Sequence, residues 1–443
     1  MVEVNGGVMG KGRLVLIDGE HYPDVTAWAV GKLGDVCCAV FLGGSEKIGD
    51  VGEIERKLGV RVYHGRDYMA SLKVALEENE IKEVVDLSDE PVLDYEDRFK
   101  IASLCMLYGV PYRGADFYFV PRRLRRTRKP SLAVIGTGKR VGKTAVSGFI
   151  ARTLKEIASP VIVTMGRGGP PEPELIEGDR FEITPEFLVK LAESGKHAAS
   201  DHFEDALTSR VTTIGCRRCG GGMAGFSFFD VIDEGIKLAE SLPNDLIILE
   251  GSGATFPAYR ADGYILITSA KGKLDFIRGY FGPFRVSLAD IVVVTMADSV
   301  SEGRLRAIKE AVRSINPDAD VHLTALRSRP LGDVLGKRLG LVMTSADALP
   351  RAGEWLEKLG AEVVCASANL SRRGLLLRDL QAFSGIDAVA VELKAAAVDV
   401  VTRWALENGI EVIYLDNEPV NVDGKDLREA VLKLGRSILE GGR

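Results

Sequence analysis

Apolar positions along the chain fall into short β-branched runs separated by helical spacings. Residues 14–17, 36–42, 60–63 and 84–87 are such runs, while residues 68–78 and 97–108 repeat their apolar positions every three or four residues. Alternation of the two signals predicts a parallel α/β layer, and residues 1–125 read as one separate N-terminal α/β domain. A second series of runs follows at 132–135, 161–165, 246–249, 264–268, 291–295 and 321–326. They are almost continuously apolar, as strands are when helices cover both faces of a sheet. Thr184 is placed to cap a helix with Pro185 in its first turn, and Ser301 to open an amphipathic helix reaching Ile315. Beyond residue 339 the pattern gives strands at 341–343, 363–365, 389–391 and 412–415 and helices at 397–407 and 425–439. The expected class is α/β: a doubly wound, mostly parallel core over residues 126–443. Within it, residues 339–443 form a C-terminal α/β extension that is either a third domain or a continuation of the central sheet.

Composition narrows the class of protein. The chain has 443 residues, 46% hydrophobic and 27% charged, which places it among globular proteins of two or three packed units. No apolar run approaches the ~20 residues of a membrane helix, and residues 1–11 lack the apolar core of a secretory signal, so a cytoplasmic protein is expected. Six cysteines, four of them in the close pairs Cys37-Cys38 and Cys216/Cys219, do not make a disulfide scaffold in so long a chain. The formal charge is −6, yet residues 121–130 carry Arg122, Arg123, Arg125, Arg126, Arg128 and Lys129 without an acid. An acidic protein with one basic run is a poor match for nucleic acid, which needs an extended set of phosphate contacts. A small polyanion and a solvated linker both remain open as readings of that run. Gln381 is the only glutamine, and Glu, Lys and Arg are plentiful, a bias found in proteins of hot habitats.

The clearest chemical signal lies at residues 131–144. A strand leads into Gly136-Thr137-Gly138-Lys139-Arg140-Val141-Gly142-Lys143-Thr144, and a helix expected to reach about Ser159 follows. This is the order of a P-loop. Glycines let successive amides converge on one phosphate, and the helix start adds its unsatisfied donors and positive dipole end. Gly138, Lys139, Arg140, Val141, Gly142, Lys143, Thr144 and Ala145 are the expected nucleotide-binding residues, with Lys143 on the β- and γ-phosphates and the Thr144 hydroxyl on Mg²⁺. The nine-residue pattern departs from the common spacing at Thr137 and resembles that of dethiobiotin synthetase and similar ATP-using ligases. Residues 246–253 add a buried strand ending in Glu250, a candidate to hold Mg²⁺ or orient its waters. Thr295, Met296 and Ala297 lie where related folds recognise the base, without the Asn-Lys-x-Asp run typical of guanine recognition, which favours ATP.

Cations gather near the same sheet edge. Arg167 and Gly168 follow the strand 161–165, Arg217 and Arg218 sit between Cys216 and Cys219 before a glycine run, Tyr259 and Arg260 follow Glu250, and Lys271 and Lys273 follow the strand 264–268. Two like charges 4 Å apart repel by about 4 kcal/mol at an effective dielectric near 20, so bringing phosphates together needs cations in this number. The expectation is that these residues, in loops after strands, hold a polyphosphate acceptor, with Lys143, Glu250, Arg167, Arg217 and Arg218 catalytic. A zinc or redox role for Cys216 and Cys219 lacks the companion ligands or the helix start that either would need. His21, in Asp18-Gly19-Glu20-His21 after the first strand, can bind phosphate or sit in a solvated turn. His64, His197, His202 and His322 show no ligand spacing.

Taken together, the loop, the run Met165-Gly166-Arg167-Gly168-Gly169-Pro170-Pro171-Glu172-Pro173-Glu174, the Cys216-Arg217-Arg218-Cys219-Gly220-Gly221-Gly222 segment, Leu249-Glu250-Gly251-Ser252-Gly253 and Asp18-Gly19-Glu20-His21-Tyr22-Pro23 resemble the cyclic 2,3-diphosphoglycerate synthetase of methanogenic archaea. The resemblance spans the chain from about Arg13. It implies an ATP-dependent ligase that cyclises 2,3-bisphosphoglycerate with release of ADP and phosphate, requires Mg²⁺ and K⁺, and works as a cytoplasmic homodimer without nucleic-acid or membrane partners. It implies that residues 130–338 bind nucleotide and substrate. The rival readings are another dethiobiotin-synthetase-like ligase or kinase and a P-loop nucleotide-switch or metal-insertion protein.

Overall fold

The computed structural model describes residues 11–44, 50–180, 184–193, 201–393 and 397–441. His197 and residues 1–10 lie outside them. By packing, the chain divides into two units: Met1–Leu124 with Lys273–Ser287 and Ser314–Pro317, and Arg125–Gly272 with Leu288–Arg313 and Asp318–Arg443.

In the first unit, strands β1 (Gly12–Ile17), β2 (Val36–Phe41), β3 (Arg61–Tyr63), β4 (Ile81–Asp86), β5 (Tyr112–Arg113) and β6 (Tyr118–Phe119) form one sheet in the order β3-β2-β1-β4-β5-β6. All pairs are parallel except β5 with β6. The connecting helices are α1 (Pro23–Leu33), α2 (Val51–Leu58), α3 (Tyr68–Glu78) and α4 (Tyr95–Leu107). Asp50, Asp67 and Asp94 cap the last three by accepting first-turn N–H groups, which fixes where each begins. β2 and β3 lie on one side of β1 and β4 on the other, so the strand order reverses there and leaves a crevice at the carboxyl ends. The segment Lys273–Ser287 packs into this unit, with Phe281 edge-on to Phe99 at 5.5 Å and to Phe119 at 5.4 Å.

The second unit begins with β7 (Arg125–Arg126), β8 (Ser131–Gly136), helix α5 (Lys143–Leu154), β9 (Pro160–Gly166), β10 (Glu174–Glu177), β11 (Thr212–Cys219), β12 (Phe229–Asp230), β13 (Leu246–Gly251), β14 (Tyr259–Arg260) and β15 (Gly263–Ser269). It continues with β16 (Ile291–Thr295), β17 (Asp320–Pro330), β18 (Arg338–Val342), β19 (Glu362–Ser367), β20 (Ala388–Glu392) and β21 (Glu411–Asn421). The main sheet runs β10-β11-β9-β13-β8-β15-β16-β17-β21-β20-β18-β19, with β12 paired to β11. The long strand β17 explains the extent of this sheet. Its first half pairs with β16 in parallel and its second half with β21 in antiparallel register, so the C-terminal strands continue the central sheet.

α5 lies in the core of this unit. Val146, Ile150 and Leu154 pack with Leu132, Val134 and Ile248 of the sheet and with Leu427, Val431, Leu434 and Ile438 of the helix Leu427–Leu439. A Cβ at Gly435 would stand 2.5 Å from the Leu154 side chain, so that residue's size lets the C-terminal helix approach.

Three local differences from the expectations have physical reasons. α5 ends at Leu154, short of Ser159, because Glu156 and Ile157 donate to Thr153 and Leu154 in tight turns ahead of Pro160. The single helix expected at 397–407 is split into a π-turn, Ala397–Thr402, and a helix, Arg403–Glu407, with the Thr402 hydroxyl donating to the Ala397 carbonyl. Cys216 to Cys219 are strand rather than loop, since the β-prone Thr-Thr-Ile start of β11 carries pairing with β9 as far as Arg217.

Candidate functional site

β8 is the switch point of the main sheet, with β13 and β9 on one side and β15, β16 and β17 on the other, and the loop that follows it curls at that crevice. Arg140 at φ 60° and Gly142 at φ 79° are both left-handed, which turns successive amides toward one point. At Gly142 a Cβ would lie 2.9 Å from Leu326, and at Gly136 one would meet the Gly253 carbonyl at 3.0 Å. The Thr137 N–H donates to Ile267 and the Val146 N–H to Gly142. Between them, the N–H groups of residues 138–145 have no partner among the described residues. Unsatisfied, convergent donors at a helix start are an anion site by construction.

Thr295 lies underneath the loop. It is fully buried, and its hydroxyl donates to the Val141 carbonyl at 2.7 Å, so its role is to hold the loop down. Beyond it Met296, at φ 56°, receives a contact from the Ser269 hydroxyl, Ala297 is buried, and Asp298 pairs with Arg327 at 2.8 Å.

Lys143 opens α5 and is 7% exposed, and its ammonium is paired with Glu250 at the end of β13, itself 3% exposed. The other Glu250 oxygen accepts from the Ser147 hydroxyl. The Thr144 hydroxyl, half-buried at the same helix start, has no partner among the described residues. A hydroxyl and a carboxylate are hard oxygen donors, so Thr144 and Glu250 fit a magnesium ion by chemistry.

On the far side of Glu250 three strand ends draw together. Gly251 stands opposite Met165, and Arg217 opposite Gly166. A Cβ at Gly169 would fall 2.1 Å from the Cys216 carbonyl, so only glycine allows the turn after β9 to close on β11. Arg217 donates to the Gly169 carbonyl at 2.8 Å, and Arg218 donates to the Ser252 carbonyl at 3.2 Å and hydroxyl at 3.1 Å. Arg167 is exposed on the same turn and makes no hydrogen bond among the described residues, and the space around Gly168 is open. With neighbouring strands ~4.8 Å apart, β11 lies three spacings, or ~14 Å, from β8. Arg167, Arg217 and Arg218 therefore flank the loop, and Glu250 stands between.

Other expected residues are placed differently. Tyr259 is buried, and its hydroxyl donates to Asp233 at 2.8 Å, while burial, followed by that hydrogen bond, pushes its pKa up to about 12. Tyr259 and Arg260 form β14, paired with Arg125 and Arg126. Much of the basic run is tied down there: Arg125 pairs with Asp233, Arg126 with Asp262 and Arg128 with Glu240, while Lys129 donates to the Ala239 and Leu242 carbonyls. Lys271 is exposed after β15 in a turn gripped by Arg304, whereas Lys273 belongs to the first unit.

His21 lies in the first unit at the switch point of its sheet. Its Nδ1 is 2.7 Å from the buried Asp18 and its Nε2 3.3 Å from Asp89, and the Asp18 hydrogen bond raises its pKa. All six cysteines are free, and no cluster of three or more metal-ligating side chains occurs among the described residues. No helix among the described residues is long and apolar enough to cross a membrane. Sequence reading missed Ser147, Ser252 and the clamp role of Thr295. The i,i+4 spacing of Lys143 and Ser147, which puts both on one helix face, was the available signal for the first.

Comparison with known proteins agrees with this geometry. Residues 13–120, 131–325 and 330–418 match the N-terminal, P-loop and C-terminal domains of the family described as cyclic 2,3-diphosphoglycerate synthetase. The chain is 78% identical to the protein of that name from Thermococcus onnurineus, over 97% of this chain and 100% of the relative. It is 71% identical to that from Thermococcus kodakarensis, over 96% and 99%, and 44% identical to that from Rubrobacter xylanophilus, over 97% and 98%. The attribution to methanogens is thereby corrected, since these relatives at 78% and 71% identity come from Thermococcus.

Proposed function

The chain belongs to the cyclic 2,3-diphosphoglycerate synthetase family, and from that premise we propose how its residues divide the work. The protein is an ATP-dependent ligase that closes 2,3-bisphosphoglycerate into cyclic 2,3-diphosphoglycerate and releases ADP and phosphate. The loop amides from Gly138 to Ala145 hold the ATP phosphates, and Lys143 leaves Glu250 to meet the β- and γ-oxygens. Met296 and Ala297 flank the base, and Thr295 supports the loop beneath it. Thr144 and Glu250 hold the magnesium ion, whose chemistry when bound is to neutralise charge on the phosphates. Arg167, Arg217 and Arg218 hold the acceptor, aided by Gly168, whose open turn admits it, and by Lys271.

The reaction balances as two displacements. An ionised oxygen of one substrate phosphate attacks the ATP γ-phosphorus, forming one anhydride bond as the bond to ADP breaks. The neighbouring substrate phosphate then attacks the phosphorus of the phosphate that was activated, closing the ring as inorganic phosphate leaves. Both nucleophiles are already ionised near neutral pH, since the second phosphate pKa is about 6, so the protein needs no general base. Its task is to neutralise charge and to hold two groups on one three-carbon skeleton within reach of each other.

The carrying observation is the run of unpartnered amides beside a buried Lys143–Glu250 pair, with three arginines on the adjoining strand ends. Three finer points belong to the same proposal: a K⁺ requirement, a homodimer and a cytoplasmic location. Residues 1–125 are taken as the N-terminal domain and 126–443 as the P-loop core with its extension from 339. Tyr259 and Arg260 then brace the wall behind the acceptor, and Lys273 and His21 are proposed as substrate contacts.

The test is to incubate the protein with ATP, Mg²⁺, K⁺ and 2,3-bisphosphoglycerate and follow the phosphorus resonances. A cyclic pyrophosphate signal that weakens when Na⁺ replaces K⁺ is expected. Unchanged substrate under these conditions rejects the proposal.

A further inference from the structure

Three buried polar side chains form a short relay in the P-loop crevice. Glu250 receives the Lys143 ammonium on Oε1 and the Ser147 hydroxyl on Oε2. Exposures are 7% for Lys143, 3% for Glu250 and 0% for Ser147, so solvent does little for any of them. Ser147 lies four residues after Lys143 in α5, on the same face. A helical serine commonly bonds back to the carbonyl four residues earlier, but this hydroxyl reaches across to β13 instead.

The site reading above requires Lys143 to transfer to the nucleotide phosphates, and the present inference rests on it. That transfer removes the only cation paired with Glu250 among the described residues. The Glu250 carboxylate is not thereby left loose. Its two oxygens have separate partners, and only one partner leaves. The oxygen held by Ser147 anchors the group, while the oxygen released by Lys143 points where the ammonium stood.

We propose that Ser147 is the positioning residue that keeps Glu250 aimed at the nucleotide's metal ion once Lys143 has moved to the phosphates. Ser147 touches neither nucleotide nor acceptor. Partners that orient a metal-holding carboxylate typically matter about 10–100-fold in metal affinity.

Equilibrium binding of a fluorescent ADP tests this without turnover, titrated with Mg²⁺ from an EDTA-treated start. For wild type, Mg²⁺ tightens ADP binding. Ser147→Ala binds ADP without Mg²⁺ within about twofold of wild type, because the amide cradle is untouched, but needs about tenfold more Mg²⁺ for half of the tightening. Ser147→Cys keeps the volume with a weaker donor and shifts in the same direction, so it decides the matter if the alanine variant fails to fold. Mg²⁺ curves that superimpose for wild type and both variants overturn the inference, as does a wild type whose ADP affinity ignores Mg²⁺. Failure of the parent reading looks different: wild type then does not bind ADP, or Lys143→Ala binds it as tightly as wild type does.

Discussion

Helix α5 carries two charge clusters that look alike in composition and differ in burial and use. At its first residue Lys143 pairs with Glu250 at the mouth of the crevice. Two turns further on, Arg152 and Arg329 of β17 both donate to the Thr208 carbonyl at 2.8 Å and converge on Asp416 and Glu418 of β21. Burial raises the pKa of Asp416 and lowers that of Arg152, so this cluster is held ionised by mutual contact against the preference of each site. The first cluster has one cation, one carboxylate and a row of open amides beside it. The second has two cations and two carboxylates and joins α5 to β17, β21 and the helix Asp201–Ser209. A pair that must exchange partners needs a vacant direction to move in; a network that locks the C-terminal strands onto the loop helix needs none.

The largest effect is expected where the exchangeable cluster is cut. Lys143→Ala removes the cation proposed to meet the nucleotide phosphates, and turnover is expected to fall by about 10²–10³-fold or more. Steady-state formation of the cyclic product measures the loss, and thermal unfolding checks that the chain still melts cooperatively. Substantial residual turnover would show that Lys143 is not on the phosphates.

Cutting the locked cluster reverses the balance. Asp416→Ala leaves the Arg152 and Arg329 guanidinium groups, each about a quarter exposed, with Glu418 as their one remaining carboxylate; removing a partner from a fully buried pair costs about 3–5 kcal/mol, so about 2–3 kcal/mol is expected here. Denaturant unfolding reads this cost. ADP affinity at low temperature, where the variant remains folded, stays near the wild-type value. If unfolding shifts by less than about 1 kcal/mol while ADP affinity collapses, the two clusters have been assigned the wrong way round.

A third cut falls on the acceptor wall. Arg218→Ala loses hydrogen bonds to Ser252 that tie the end of β11 across β9 to the turn after β13, together with a cation proposed for the substrate phosphates. A charge-assisted bond is worth about 1.5–3 kcal/mol, so the KM for 2,3-bisphosphoglycerate rises about 10–100-fold while that for ATP stays nearly constant. Equal rises in both would place Arg218 on the nucleotide.

The clusters also show why some of this was legible in the sequence and some was not. Strands such as Ile291–Thr295 and the loop at Lys143 announce themselves because their chemistry is local: continuous apolar runs for a covered strand, glycines and Gly-Lys-Thr for a phosphate cradle. Partners far apart in sequence leave no such mark. The pairing of Arg152 with Asp416 spans most of the second unit, and Ser147 is an ordinary helical serine until β13 brings Glu250 over it. The basic run was ambiguous for a related reason. As sequence it is a free block of charge, whereas in the fold Arg125, Arg126 and Arg128 meet Asp233, Asp262 and Glu240, acids placed by later elements. Tyr259 was read as a ligand contact from its place after Glu250, but pairing of β14 with β7 turns its hydroxyl to Asp233.

The smallest predicted effect sharpens the contrast between exchangeable and locked charge, because His21 can titrate. Its imidazole sits 2.7 Å from Asp18, which is buried and also accepts the backbone N–H groups of Glu20, His21 and Asp89. The hydrogen bond to Asp18 raises the His21 pKa above its ordinary value near 6.5, against the opposing effect of burial. A raised folded-state pKa means that protonated His21 stabilises the first unit. That contribution is complete below the unfolded value and is lost as pH rises through the folded one. Melting temperature should therefore fall across that window in wild type by more than in His21→Asn, with the two curves converging at high pH and separating on the acid side. If the asparagine variant shows the same slope, the imidazole is not the titrating group and the Asp18 contact behaves like the locked cluster on α5.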